Sequence, residues 1–219
     1  MSEAPSIRMI ASLGFGIDFI VRRLADLRGE RVSEIVAVGL YTDEQSWSRV
    51  EQTYSILSAY LRSQGISSRL ERVDLGRGGL VAQAREIIAR VIGESSGEIV
   101  ELYLTGGPRL LLAAFYTAAL TLPRDWADAV RVSVYGEGFP ASLVVEIGKL
   151  LVLAGLDEAS KRILRYIKDG YSEVHSLLTV TGMPRSTLYK RLKELEKLGL
   201  IVRAGRGELR VHPSLEELL

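Results

Sequence analysis

The stretch TGMPRSTLYKRLKELEKLGLIVRAGRGELRV, residues 181 to 211, constrains the fold more tightly than any other part of the chain. Pro184 can open a helix, because the N–H it lacks is one that a helix N-terminus leaves unpaired anyway. From it Leu188, Leu192, Leu195 and Leu198 recur at helical spacing, a stripe that packs inward. Ser186, Tyr189, Lys190 and Lys193 fall on the opposite face. Gly199 stops the helix, and Ile201 to Arg203 and Leu209 to Val211 then read as two short strands. The turn Ala204-Gly205-Arg206-Gly207 joins them into a hairpin with an arginine at its tip. Turn, stripe, stop and hairpin follow in the order of a winged helix-turn-helix, whose cationic helix face fits a DNA major groove. The plainer reading of such a face is a solvated charged surface.

Charge distribution favours the first reading. The formal net charge is only +1, which argues against general adhesion to nucleic acid or anionic lipid. From Asp157 to the end, however, 12 Lys/Arg stand against 9 Asp/Glu, whereas residues 1 to 156 carry 16 against 18. Between Arg185 and Arg210 the count is 8 against 3. The excess lies on the helix and hairpin, where phosphate contacts would be made.

The absence of cysteine excludes disulfides, thiolate catalysis and cysteine-rich zinc sites. With only two histidines, His175 and His212, no metal site is expected. The N-terminus shows no basic segment followed by an apolar core, and the longest apolar run, Leu110 to Leu122, is too short to span a bilayer. A cytoplasmic protein without a membrane partner is the expectation. The sequence has no asparagine and few glutamines beside many Arg and Glu, a bias that fits work at high temperature.

Strand-like and helix-like segments alternate from residue 7 to residue 146, the pattern of an α/β fold with a mostly parallel sheet flanked by helices. Strands are expected at Ile7–Ser12, Glu34–Tyr41, Arg69–Val73, Ile99–Leu104, Val130–Tyr135 and Leu143–Ile147. Helices are expected at Ile17–Leu27, with Ile20, Val21 and Leu24 inward, then at Gln45–Gln64, Leu80–Ile92 and Pro108–Leu122. The domains are a Rossmann-like unit over residues 1–147, an apolar connector over 148–156 and a small winged domain over 157–219.

Two loops leave strand ends and run straight into helices: Ser12-Leu13-Gly14-Phe15-Gly16 and Thr105-Gly106-Gly107-Pro108-Arg109. In an open α/β sheet that edge is where ligands bind. Glycines let the backbone approach an anion, the helix N-terminus behind each loop offers unpaired N–H groups, and Arg109 adds a fork of donors. Together the loops favour a phosphate-bearing ligand, although glycines there also serve tight strand-to-helix turns. Gly14-x-Gly16 is a poor dinucleotide fingerprint, since Phe19 replaces the third glycine and no acidic residue ends the second strand at the expected distance. No Gly-Lys-Ser/Thr of a P-loop occurs.

With SLGFGIDFIVRRL after its first strand, LTGGPRLLLAAF after its fourth and the helix and hairpin behind them, the chain resembles archaeal CRISPR-associated transcriptional regulators. These are of the CARF plus winged-helix type, and the resemblance runs over nearly the whole chain. It implies a homodimer whose paired CARF domains bind a cyclic oligoadenylate, most often cyclic tetra-adenylate, as a regulatory ligand, and whose winged helices bind double-stranded promoter DNA. By that resemblance Ser12, Leu13, Gly14, Phe15 and Gly16 line one part of the cleft and Thr105, Gly106, Gly107, Pro108 and Arg109 the other. Tyr135, Gly136 and Glu137 add a wall. The resemblance implies no cofactor and no catalytic residue.

Relatives with nuclease domains or ring-cleaving clefts exist, but neither histidine has an arginine five positions before it, so no Arg-x-x-x-x-His motif is present. Ring cleavage needs mainly a placed ribose hydroxyl and a charge stabiliser, so a ring nuclease stays open, as does a regulator of the same build that senses another phosphorylated metabolite. On the DNA side the contacts are expected from Arg185, Ser186, Thr187, Tyr189, Lys190 and Lys193, with Arg206 at the tip of the wing reaching the minor groove or backbone.

Overall fold

Strand β1 (Ser6–Ser12) lies in the middle of a six-stranded sheet, between β2 (Arg31–Tyr41) and β4 (Ile99–Tyr103). The computed structural model describes residues 6–27, 30–136, 142–204, 208–216 and 218–219, and its chain divides into two units, Met1–Ile147 and Gly148–Leu219. In the first unit β3 (Ser67–Asp74) pairs outside β2, while β5 (Val130–Tyr135) and β6 (Ser142–Glu146) follow β4, giving the order β3-β2-β1-β4-β5-β6. All pairings are parallel except β5 with β6. The cause is visible in the strands themselves. Ile7, Met9, Ile10 and Ala11 of β1, Ile35 to Val38 of β2, and Val100, Leu102 and Tyr103 of β4 are buried, the near-continuous apolar runs of strands covered on both faces. Edge strand β3 instead carries Arg69, Glu71 and Arg72, charges that discourage further pairing.

Helices connect the parallel strands: α1 (Asp18–Asp26), α2 (Glu44–Ser63), α3 (Leu80–Glu94), α4 (Arg109–Leu120) and the short α5 (Arg124–Ala127) before β5. Each long one buries a single stripe, such as Val50, Thr53, Leu57 and Leu61 of α2 or Leu111, Ala114, Phe115, Ala118 and Ala119 of α4. At that burial a Phe115→Ala change costs about 3–5 kcal/mol. Helix α1 departs from the expected stripe: Ile20 is buried together with Arg23, while Val21 and Leu24 are only half-buried. The reason is a carboxylate on the sheet beneath it, described below.

The second unit holds α6 (Ile147–Gly155, from the last residue of the first unit), α7 (Glu158–Lys168), α8 (Val174–Thr181), α9 (Arg185–Lys197), and the antiparallel pair β7 (Ile201–Ala204) and β8 (Glu208–Val211). Residues 148–156, read as a connector, therefore lie largely in α6, and Val152 and Leu153 join the core of this unit. Asp157 caps α7 by accepting the Ser160 N–H at 2.7 Å, and Gly182, at φ 64°, ends α8. Leu188, Leu192 and Leu195 enter the core as the stripe predicts, but Leu198, at the C-cap of α9, is exposed. The chain reverses at Gly199 (φ 67°), and Leu200 fills the core in its place. Among the described residues no helix is long and apolar enough to cross a membrane.

Candidate functional site

From β1 the chain steps outward to β2 and β3, then crosses back to place β4 on the other side of β1. Loops leaving the carboxyl ends of β1 and β4 thus diverge to opposite sides of the sheet and leave a crevice between them. The structure brings the two expected loops together there. Ser12, itself buried, donates its hydroxyl to the Gly106 carbonyl at 2.9 Å. Leu13 is anchored from the other side through its N–H, which donates to the Val38 carbonyl at 2.8 Å. Thr105 is buried and its hydroxyl accepts the Tyr135 N–H at 2.8 Å.

Gly106 and Gly107 have φ of 81° and 80°, a conformation that side chains strain to adopt, and the Phe19 ring lies where a Cβ of Gly106 would point. Gly14 meets Gly107 backbone to backbone, so a Cβ on Gly14 would lie 3.0 Å from its Cα and N. On one side of this glycine contact is a cavity of about 450 Å³ lined by Leu13, Gly14, Phe15, Leu40, Thr42, Ser46, Val50, Gly107 and Pro108. On the other is one of about 150 Å³, lined by Ser12, Gly14, Phe15, Gly16, Asp18, Phe19, Ile20, Thr105, Gly106 and Gly107. Phe15, 72% exposed, borders both.

The two helix N-termini behind the loops are not equivalent. Pro108 precedes α4 without a side-chain cap and no acidic residue occupies its first turn, so its N–H groups and partial positive charge remain available. Arg109 opens that helix, exposed and without a partner among the described residues, yet it lines neither cavity. Helix α1 begins with Asp18, whose carboxylate already complements the helix dipole and borders the smaller cavity. Tyr135 lines neither cavity; its hydroxyl accepts from Arg23 at 2.6 Å and its ring meets Tyr103 edge to face. Gly136 follows at the end of β5, half-buried, and Glu137 lies outside the described residues.

Two groups of residues here escaped the sequence reading. Leu40, Thr42, Ser46 and Val50 come from the end of β2 and the start of α2. Asp43 and Ser46 form a capping box, with the Ser46 N–H donated to Asp43 Oδ1 at 2.8 Å. That Asp-x-x-Ser spacing was the signal that a third helix N-terminus reaches the same sheet edge. The second group is ionic. Glu101, central in β4 and 0% exposed, accepts from Arg23 Nε at 2.7 Å and Nη2 at 3.0 Å, from Arg131 Nη2 at 2.5 Å, and from the Ser133 hydroxyl. Arg131 reaches onward to Glu30 at 2.9 Å, which balances two carboxylates against two guanidinium groups. Burial pushes the Glu101 carboxyl up, but the Arg23 hydrogen bonds, the Arg131 charge and the Ser133 hydroxyl outweigh it and hold the group below the usual carboxylate range. The Tyr103 hydroxyl donates to the Phe19 carbonyl at 3.0 Å, so the network and this bond together fix α1 and the Phe19 ring behind Gly106. Among the described residues no group of His, Asp and Glu could hold a metal ion.

In the second unit Arg185, Ser186, Thr187, Tyr189, Lys190 and Lys193 are all exposed on α9. The Arg185 guanidinium stands 5.6 Å from the centre of the Tyr189 ring, and the other four polar side chains are unpartnered among the described residues. Arg191 is different: it donates to Asp157 at 2.6 Å and to the Ser160 hydroxyl at 2.8 Å, and pulls the Asp157 carboxyl down to about 2. Arg206 lies outside the described residues.

Among solved structures, the fold is similar to the crystal structure of protein VC1899 from Vibrio cholerae, with a TM-score of 0.44 and 16% identity over 97% of this chain and 63% of that one. It is also similar to Enterococcus italicus Csm6 bound to cyclic hexa-2'-fluoro-hexa-dAMP, with a TM-score of 0.49 and 8% identity over 90% of this chain and 56% of that one. The chain thus spans less than two thirds of the length of either. No curated protein matches it. Residues 7–147, which take in the helices that cover the sheet and all six of its strands but for Ser6, match the Csa3 CRISPR-associated Rossmann-like domain, and the chain belongs to that family.

Proposed function

We propose that the chain is a CRISPR-associated transcriptional regulator. In this reading it acts as a homodimer that binds a cyclic oligoadenylate, cyclic tetra-adenylate first among them, across the glycine loops of two copies. Its second unit is a winged helix-turn-helix that binds double-stranded promoter DNA. The observation that carries the ligand half is the Gly14–Gly107 contact, which sets two glycine backbones side by side next to the uncapped start of α4, in a family of CRISPR-associated domains. Glycine at these positions leaves the backbone N–H groups free of a Cβ that would hold a phosphodiester off. The DNA half is supported by the exposed face of α9, where Arg185, Lys190 and Lys193 have no acidic partner among the described residues, unlike Arg191.

The test is a calorimetric titration of the full chain with cyclic tetra-adenylate, followed by chromatography of the recovered ring and anisotropy of labelled promoter DNA with and without it. Binding near one ring per two chains, recovery of intact ring and a ligand-dependent change in DNA affinity support the reading. Linear products would replace it with a ring nuclease, and absence of binding would return the first unit to another phosphorylated ligand.

A further inference from the structure

The arginines of α9 and of the two strands behind it are not alike. Arg191 is held by Asp157 and Ser160, Arg203 donates to Glu196 at 2.9 Å, and Arg210 stands 3.7 Å from Glu208. Of these four, only Arg185 has no carboxylate partner among the described residues. Its guanidinium stands instead over Tyr189, 5.6 Å from the centre of a ring one turn further along the same helix. That ring is 45% exposed, so the pair lies open on the surface of α9.

A guanidinium is a planar fork of N–H donors, and an aromatic ring against it limits the directions in which the fork can point. A fork aligned before binding loses less freedom on meeting its partner than a free arginine does. Position then decides the partner. Arg185 is the first residue of α9, and the N-terminal residues of a recognition helix are those that contact base edges in the major groove. Only guanine presents two acceptors there, N7 and O6. Adenine pairs an acceptor with a donor, thymine an acceptor with a methyl group, and cytosine offers a donor. Lys193 and Lys190, about 80° and 140° round the helix from Arg185, are point charges without this planar geometry and suit phosphates on the flank of the groove.

We infer that Arg185, aligned by Tyr189, reads a guanine, so that each copy of the chain selects a G·C pair at one fixed position of its half-site. Arg185 is the specificity-determining residue and Tyr189 positions it. The inference rests on the DNA-binding reading of the second unit and adds to it which base the helix selects, and by which residues.

The experiment is selection of duplexes from a randomised library by the full chain and by its Arg185→Lys and Tyr189→Leu variants, with and without cyclic tetra-adenylate. Anisotropy then compares the selected duplex with one in which the guanine is replaced by 7-deazaguanine, which lacks the N7 acceptor. Wild type is expected to enrich a motif with a fixed G·C pair and to lose about tenfold or more in affinity on the 7-deaza duplex. Arg185→Lys keeps the charge and loses the fork, so it should still bind the motif, with that position relaxed and the 7-deaza loss reduced to less than about threefold. Tyr189→Leu leaves the arginine and removes its platform, and should weaken the preference at the same position; a Tyr189 of merely structural role would lower the melting temperature and leave the preference as it was. A motif whose every position keeps its preference in Arg185→Lys or in Tyr189→Leu, or binding by wild type without any preferred motif, overturns this inference and leaves the DNA-binding reading standing. Failure of wild type to bind any duplex overturns that reading and the base selection with it.

Discussion

Gly14 and Gly107, on loops from two different strands, approach until a single methyl group on Gly14 would sit 3.0 Å from the backbone of the other. The neighbour in this contact is main chain, which cannot rotate away, so Gly14→Ala must part the loops that form both cavities. Overpacking of this kind costs about 1–3 kcal/mol. Gly14→Ala should lower the unfolding midpoint and weaken binding of cyclic tetra-adenylate. Gly16→Ala, whose Cβ would meet only the end of the Asp18 side chain at 3.4 Å, should do much less to either. Melting curves and titrations of the two variants side by side decide it.

Arg109 is exposed at the first position of α4, beside the crevice but outside both cavity linings. Its expected part is to reach a phosphate that the glycines have admitted, a charge-assisted contact worth about 1.5–3 kcal/mol. Arg109→Ala should therefore weaken cyclic tetra-adenylate by roughly tenfold or more and leave the melting temperature in place. Unchanged ligand affinity would remove Arg109 from the site.

The sheet was legible in the sequence because burial on both faces writes itself as continuous apolar runs, and β1, β2 and β4 are such runs. The glycine loops were legible for a related reason, since tight turns at strand ends leave a compositional mark. Thr42 and Ser46 were not, because they belong to a third strand–helix junction whose nearness to Gly107 is a matter of strand order, not of spacing along the chain. Arg23 was hidden by Ile20, Val21 and Leu24, which make a plausible apolar stripe by themselves. The signal that would have found it is Glu101, a single carboxylate inside the apolar run Ile99–Tyr103, which demands a buried cation from a covering helix.

Glu101 is where acid and substitution should both show. Glu101→Gln leaves Arg23 and Arg131 buried against one fewer negative charge, and removing one partner from such a cluster costs about 3–5 kcal/mol. Urea unfolding at neutral pH reads this directly. The pH dependence follows from the direction of the shift: folded Glu101 is held below its ordinary 4.5, so the unfolded chain takes up the proton first. The stabilisation is complete above pH 4.5 and is lost as pH falls below that value through the folded pKa. Glu101→Gln should lack this part of the acid sensitivity, and an acid profile parallel to that of wild type would deny Glu101 its role.

Lys190 and Lys193 test the α9 surface through salt. Each lysine that neutralises a phosphate contributes about −0.9 to the slope of log K against log salt. Lys190→Ala and Lys193→Ala should each lower affinity for promoter and unrelated DNA alike and flatten that slope by about this amount. Arg191, between the two lysines on the same helix, provides the contrast because its guanidinium is held by Asp157 and Ser160. Arg191→Ala should lower stability, by loosening α9 from the N-terminus of α7, while leaving the salt slope near that of wild type. If Lys190→Ala and Lys193→Ala also leave the slope unchanged, the exposed face of α9 is a solvated surface and the second unit serves some other partner. If they flatten it and Arg191→Ala does not, the cations that meet DNA are those the fold has left unpaired.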